Sequence, residues 1–194
     1  DSCVELIGKK SISVIVPEIC KIIKGGVGFS SLNACCHILT VLIKRTELHL
    51  ELRKNSKRII YAILSQIETT LSKYLKSEYS KVLGYYCLIA KKKYIDMVMD
   101  LIEKLYFSDN VNDNDGKRLL AGMIMYQISK NSLPILKKYP KIVSLSYIGA
   151  QDNNDKTKEL FGNAINEIGG KQMFMKQNIK LIIQYIIQTF NDPV

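Results

Sequence analysis

Tryptophan is absent from the 194 residues, proline occurs four times and histidine twice. The histidines, His37 and His49, have no Ser, Cys or Asp at a spacing that would build a catalytic pair. Cys36 and His37 are adjacent, and neighbouring helix residues point about 100° apart, so they do not form a nucleophile and base. His37 lies in an apolar stretch and is expected to be packed, whereas His49 lies in a charged stretch and is expected at the surface. The five cysteines, Cys3, Cys20, Cys35, Cys36 and Cys87, form neither a CxxC pair nor a Cys/His cluster. Buried, reduced thiols in a protein of the cytoplasm and nucleus are the expectation. No apolar run approaches the roughly 18 residues that span a bilayer. Ala34 to Ile43 and Leu181 to Ile187 are the longest candidates and are too short. No basic stretch precedes an apolar core at the start, so no signal peptide is expected. The missing initiator Met points to a fragment of something longer. Alternating apolar patterns of strand type are also lacking.

What is present is helical periodicity, with apolar residues three and four apart. Val16 to Arg45 holds two such patterns, split at Gly25-Gly26-Val27-Gly28. A lysine-tipped helix running into glycines is a stop signal, and Ser30 or Ser31 is placed to cap the next start. Pro17 inside the first pattern predicts a kink or break. Further stripes run through Ser56 to Thr70, Ser77 to Lys91, Tyr94 to Phe107, Lys117 to Lys130, Tyr139 to Ile148 and Asp155 to Ile168. Gly84, within one of them, costs about 1 kcal/mol relative to Ala and suits close approach of another helix. Helix pairs are thus expected near 11–46, 55–92, 94–130 and 139–169, with a last long helix over 172–190. First helices starting near Ser11, Asn55, Tyr94 and Tyr139 repeat at about 44, 39 and 45 residues, within reach of the roughly 40–47-residue HEAT and armadillo periods. The fold class predicted is all-α, a HEAT/armadillo-like α-α superhelix forming one segment over 1–194. An irregular helical bundle is the alternative.

Candidate chemistry is sparse. Gly26-Val27-Gly28-Phe29-Ser30-Ser31 lacks the third glycine of a dinucleotide loop and follows a helix instead of a strand. Ser108 to Gly116, SDNVNDNDG, reads as a solvated loop. As a calcium loop with Gly116 at the sixth position, it would place Val111 first and Gly122 twelfth, where carboxylates are required. No cofactor, metal site or enzyme activity is expected. The formal charge is +10, from 28 Lys and Arg against 18 Asp and Glu. Lys44, Arg45, Arg53, Lys54, Lys57 and Arg58 gather around one connector, Lys91, Lys92 and Lys93 around the next, and Lys137, Lys138 and Lys141 around a third. Stacked pairs would align these into a basic ridge for phosphates or an acidic protein surface. A solvated edge with no partner is the plain alternative.

The stretch VPEICKIIKGGVGFSSLNACCHILTVLI followed by SKRIIYAILSQI resembles the HEAT-repeat family of the proteasome adaptor and scaffold called extracellular mutant protein twenty-nine. The elements that carry the likeness are Pro17-Glu18, Gly26-Val27-Gly28, Ala34-Cys35 and Ser56 to Ile67. Further on, Leu145-Ser146-Tyr147-Ile148-Gly149 with Asp152, then Glu159-Leu160-Phe161, are similar to the family's apolar helix, acidic turn and acidic helix. The tryptophan of that last helix is missing here. The resemblance implies a non-catalytic protein of cytoplasm and nucleus. It would bind the proteasome core and regulatory particles, bridge them, and take part in their assembly, stability and quality control. No binding residue is carried over. A basic helical-repeat module that binds nucleic acid is the other functional reading.

Overall fold

Apolar stripes with a 3.6-residue period, separated by glycine and polar turns, generate a run of helices in the computed structural model, which describes residues 2–26, 28–108, 114–132, 139–169 and 183. They are α1 (Ser2–Glu5), α2 (Lys9–Gly25), α3 (Phe29–Lys44), a 3-10 turn (Thr46–Leu48), α4 (His49–Lys54), α5 (Ser56–Ile67), α6 (Lys73–Tyr86), α7 (Lys92–Tyr106), α8 (Asn114–Asn131), α9 (Lys141–Gly149) and α10 (Asp155–Gly169). The described residues contain no strand. The last helix expected over 172–190 lies outside them, Ile183 apart.

The packing is that of a solenoid. Within pairs, α2 lies on α3, α5 on α6, α7 on α8 and α9 on α10. Between pairs, the first helices touch in the order α2–α5–α7, and the second helices in the order α3–α6–α8–α10. Two layers of helices result, each unit burying its apolar face on its neighbours. Starts at Lys9, Ser56, Lys92 and Lys141 give intervals of 56−9, 92−56 and 141−92, that is 47, 36 and 49 residues. The core runs continuously between the layers, through Ile12, Val16 and Ile23 to Leu39, Ile59, Ile63, Val98, Ile124 and Phe161. Each fully buried Leu or Ile contributes roughly 1.5–3 kcal/mol.

Several local details decide how the units join. α2 continues through Pro17 without a break. The proline removes the N–H that would bond the carbonyl of Ser13, a loss that exposed Ser13 can make good with water. α2 ends at Gly26, φ +65°, whose N–H bonds the carbonyl of Ile23, and Gly28 follows at φ +72°. Two left-handed positions explain glycine at both sites. Gly28 itself precedes the first turn of α3, so neither Ser30 nor Ser31 is the cap. α6 begins earlier than its predicted start at Ser77, because the Ser72 side chain caps the Leu75 N–H at 3.3 Å. It also ends earlier, at Tyr86, so that Leu88 and Ile89 belong to the connector. At Gly84 the backbones of α6 and α8 meet: an added Cβ would stand 2.6 Å from the Gln127 carbonyl oxygen. Ser132 Oγ donates to the Gly84 carbonyl across the same crossing. Of the expected loop at 108–116, residues 109–113 lie outside the described structure, and Asn114 to Gly116 already belong to α8.

Candidate partner-binding edge

In a two-layer stack the chain turns within pairs along one edge and crosses between pairs along the other. The crossings are where the cations collect. Residues 44–58 and 91–93 together hold nine cationic and two acidic side chains, so 18 of the 194 residues carry +7 of the chain's +10. The two stretches adjoin in space: Arg53 Nε donates to the carbonyl of Ile89 at 2.7 Å, and Lys44 Nζ sits 4.9 Å from the Tyr85 ring centroid.

The individual side chains divide by role. Arg45 is half-buried and donates to the carbonyls of Val4 at 3.1 Å and Ile7 at 2.9 Å, while its Nε meets Glu47 at 2.7 Å. Charge-assisted bonds of this kind satisfy the open carbonyls at a helix end. The Arg45 guanidinium in turn holds the exposed Glu47 carboxyl below its usual range. Arg53 likewise fastens one connector to the next. Lys54 pairs with Glu51 at 2.7 Å, and Arg58 reaches the Asn55 side chain at 3.3 Å. Lys57, Lys91 and Lys92 are exposed, and exposed Lys93 lies over the Tyr94 ring at 4.8 Å. Lys137 and Lys138 lie outside the described residues, and Lys141 meets Glu103.

Leucines accompany these cations. Leu50 is 67% exposed in α4 and Leu88 is 37% exposed in the α6–α7 connector. A cleft of about 330 Å³ at the start of α7 is lined by Ala90, Lys92, Ile95 and Tyr139, the last held by a 2.7 Å hydrogen bond from its hydroxyl to Asp96. Neither leucine was singled out from the sequence. The signal was there: Leu48 and Leu52 are buried one helical turn apart, which puts Leu50 on the opposite side.

The opposite edge has different chemistry. Phe29 and Tyr74, at the starts of α3 and α6, pack with ring centroids 5.6 Å apart, and Leu71 beside them is 96% exposed. Farther along, Asp152 in the α9–α10 turn is buried, with its carboxylate accepting the Asn154 N–H at 2.8 Å and lying 3.5 Å from Arg118 Nε. Arg118 also bonds Asp115 at 2.7 Å, and that guanidinium lowers the Asp115 carboxyl. Asn154 caps α10 through the Thr157 N–H at 3.2 Å and reaches Asp115 at 3.3 Å. The cluster joins two successive turns.

The histidine expectations reverse. His37 is exposed, whereas His49 is half-buried with Nε2 2.8 Å from the Ile43 carbonyl. The inward stripe of α3 is Leu32, Cys35, Cys36, Leu39, Leu42 and Ile43, and position 37 falls one step off it. Cys20, Cys35, Cys36 and Cys87 are buried free thiols. Burial pushes Cys20 up to about 11, and Cys36 and Cys87 up to about 12, far from a reactive thiolate. Among the described residues no group of three or more His, Cys, Asp or Glu side chains is placed to hold a metal ion, and no helix is long and apolar enough to cross a membrane.

Comparison with curated proteins and with solved structures returned no match. A family model does match, over residues 1–107, and its description is Proteasome adapter and scaffold protein ECM29, HEAT-repeat domain. The match spans α1 through α7, more than half of the chain, and includes the glycine turn and both basic connectors. It stops before the likeness placed on Leu145 to Phe161. The chain belongs to the ECM29 HEAT-repeat family.

Proposed function

We propose that this chain is a section of a non-catalytic scaffold that binds the proteasome and bridges its core and regulatory particles during assembly, stabilisation and quality control, in cytoplasm and nucleus. The family match over residues 1–107 is the observation that carries this reading. The architecture supports it, because stacked helix pairs present a long continuous surface along a large partner. Several polar side chains along the turns and crossings serve as caps and staples, Ser72, Asn154, Arg45 and Arg53 among them.

The test is an affinity pull-down of the tagged full-length protein from cell extract, with and without nuclease, read by mass spectrometry. Core and regulatory proteasome subunits that survive nuclease are the expected result. An eluate of nucleic acid and its binding proteins, lost on nuclease treatment, would sink the scaffold reading. That outcome would favour a basic nucleic-acid-binding repeat module.

A further inference from the structure

We propose that the crossing edge of the solenoid is a docking site for an acidic, amphipathic segment of a partner protein, one that sets Glu or Asp side chains beside leucine-like ones. This rests on the scaffold reading only for the partner's identity. The charge argument stands without it, because +7 of the chain's +10 sits in residues 44–58 and 91–93, and the Arg53 bond to Ile89 makes the two stretches one surface. Like charges held side by side repel one another, and an acidic ligand relieves that repulsion.

Two features favour protein over nucleic acid. The first is the division of labour among the cations. Arg45 and Arg53 are committed to backbone carbonyls. The cations of the second connector are all lysines, flexible point charges that lack the planar fork suited to phosphate or guanine, while exposed Arg58 of the first connector meets the Asn55 side chain through Nη1. The second is the company they keep. Strand-binding grooves offer exposed aromatic faces for base stacking, yet Tyr94 is buried and Tyr85 half-buried beneath lysine heads. What projects from the two connectors instead is Leu50 and Leu88, and a cleft lined by Ala90, Ile95 and Tyr139 follows the second connector. Exposed leucines give a phosphodiester nothing, but they match the apolar stripe of an acidic amphipathic helix.

The test uses the 194-residue chain and three fluorescent probes: a 20-residue peptide of Glu-Leu-Glu-Ala repeats, a poly-glutamate of equal length, and a 20-nucleotide oligothymidylate. The Glu-Leu peptide is expected to bind at least tenfold more tightly than poly-glutamate, and more tightly than the oligonucleotide at every salt concentration. Lys91→Ser, Lys92→Ser and Lys93→Ser together are expected to weaken the peptide about tenfold, since each exposed charge contact is individually weak. Leu50→Ser with Leu88→Ser is expected to bring the peptide down to the poly-glutamate level while leaving poly-glutamate unchanged. All these positions are exposed, and helical circular dichroism verifies that each variant folds. Equal binding of both peptides, indifference to the leucine pair, or preference for the oligonucleotide would each overturn the proposal. The same variants in the pull-down separate the two readings. Proteasome recovery undiminished by the lysine triple would reject this edge as the site and leave the scaffold role standing. Peptide binding as described, with no proteasome recovered by wild type, would reject the scaffold role and keep the edge.

Discussion

Adding one methyl group at Gly84 probes a close helix crossing in the second layer. The new carbon would stand 2.6 Å from the Gln127 carbonyl oxygen and 2.7 Å from its carbonyl carbon and Cβ. Ordinary contacts begin near 3.4 Å, so α6 and α8 must part by close to an ångström. Backbone cannot rotate away as a side-chain tip can. A gap of that size forfeits a quarter to a half of the dispersion energy of the contacts it opens, and overpacking of this kind costs about 1–3 kcal/mol. Separation also stretches the bond from Ser132 Oγ to the Gly84 carbonyl, adding about 1 kcal/mol. Against this, alanine improves helix propensity by about 1 kcal/mol. Gly84→Ala is therefore expected to lose about 2 kcal/mol net. Gly162→Ala supplies the contrast. Its Cβ would meet nothing within 4 Å in the middle of α10, so the propensity gain of up to about 1 kcal/mol stands alone. Urea unfolding followed by circular dichroism measures both. The midpoint should fall for the first variant and rise for the second, at unchanged slope. If Gly84→Ala were as stable as wild type, the backbone-to-backbone contact at this crossing would be wrong.

Three further outcomes follow from the same structure. Asp152→Ala should cost about 2–3 kcal/mol, since it strips a buried carboxylate from Arg118 and from the Asn154 N–H, and Asp152→Asn should recover part of the loss; thermal unfolding of both decides it. Tyr86→Phe should lose about 1–2 kcal/mol, because its buried hydroxyl donates to the Leu52 carbonyl at 2.9 Å and lies 2.8 Å from Ser56 Oγ, and urea denaturation reads the difference. Stability should also decline as pH rises above about 9, because thiols ionise near 8.5 when unfolded while folding holds Cys20 up to about 11 and Cys36 and Cys87 up to about 12. The raised folded values mean that this contribution is complete below the unfolded pKa and is lost on passing through the folded ones. Unfolding at pH 7, 9 and 10.5, alongside thiol labelling with and without denaturant, tests this; rapid labelling of Cys36 or Cys87 in the native protein would contradict it.

The helices were legible because their apolar spacing records which side faces inward, and this holds from Ile12 in α2 to Ile168 in α10. Gly84 was legible too, since a glycine in a helical stripe asks for a close neighbour. What escaped depends on side-chain destinations. The connector cations read as a solvated ridge, but nothing local says that Arg45 bonds carbonyls 38 and 41 residues away. The α6 stripe starts at Leu75, ahead of the expected Ser77, because the Ser72 cap that sets the helix start is one serine among several in this stretch. His37 was misjudged by its apolar neighbours along the chain, where its position around the helix was the better guide. Asp152 entered as part of an acidic turn, and only the packed α8 explains why a carboxylate is buried there.

Five of the staples between units have similar reach. Arg45 to Val4, Arg53 to Ile89, Gln66 to Lys24, Lys104 to Glu68 and Asn154 to Asp115 span 36 to 42 residues, one unit's length each. Among the described residues, load passes from each unit to the neighbour it packs against. Stability in such a stack is a sum of unit terms and nearest-neighbour interface terms, so weakening one interface is expected to loosen the chain at that crossing first.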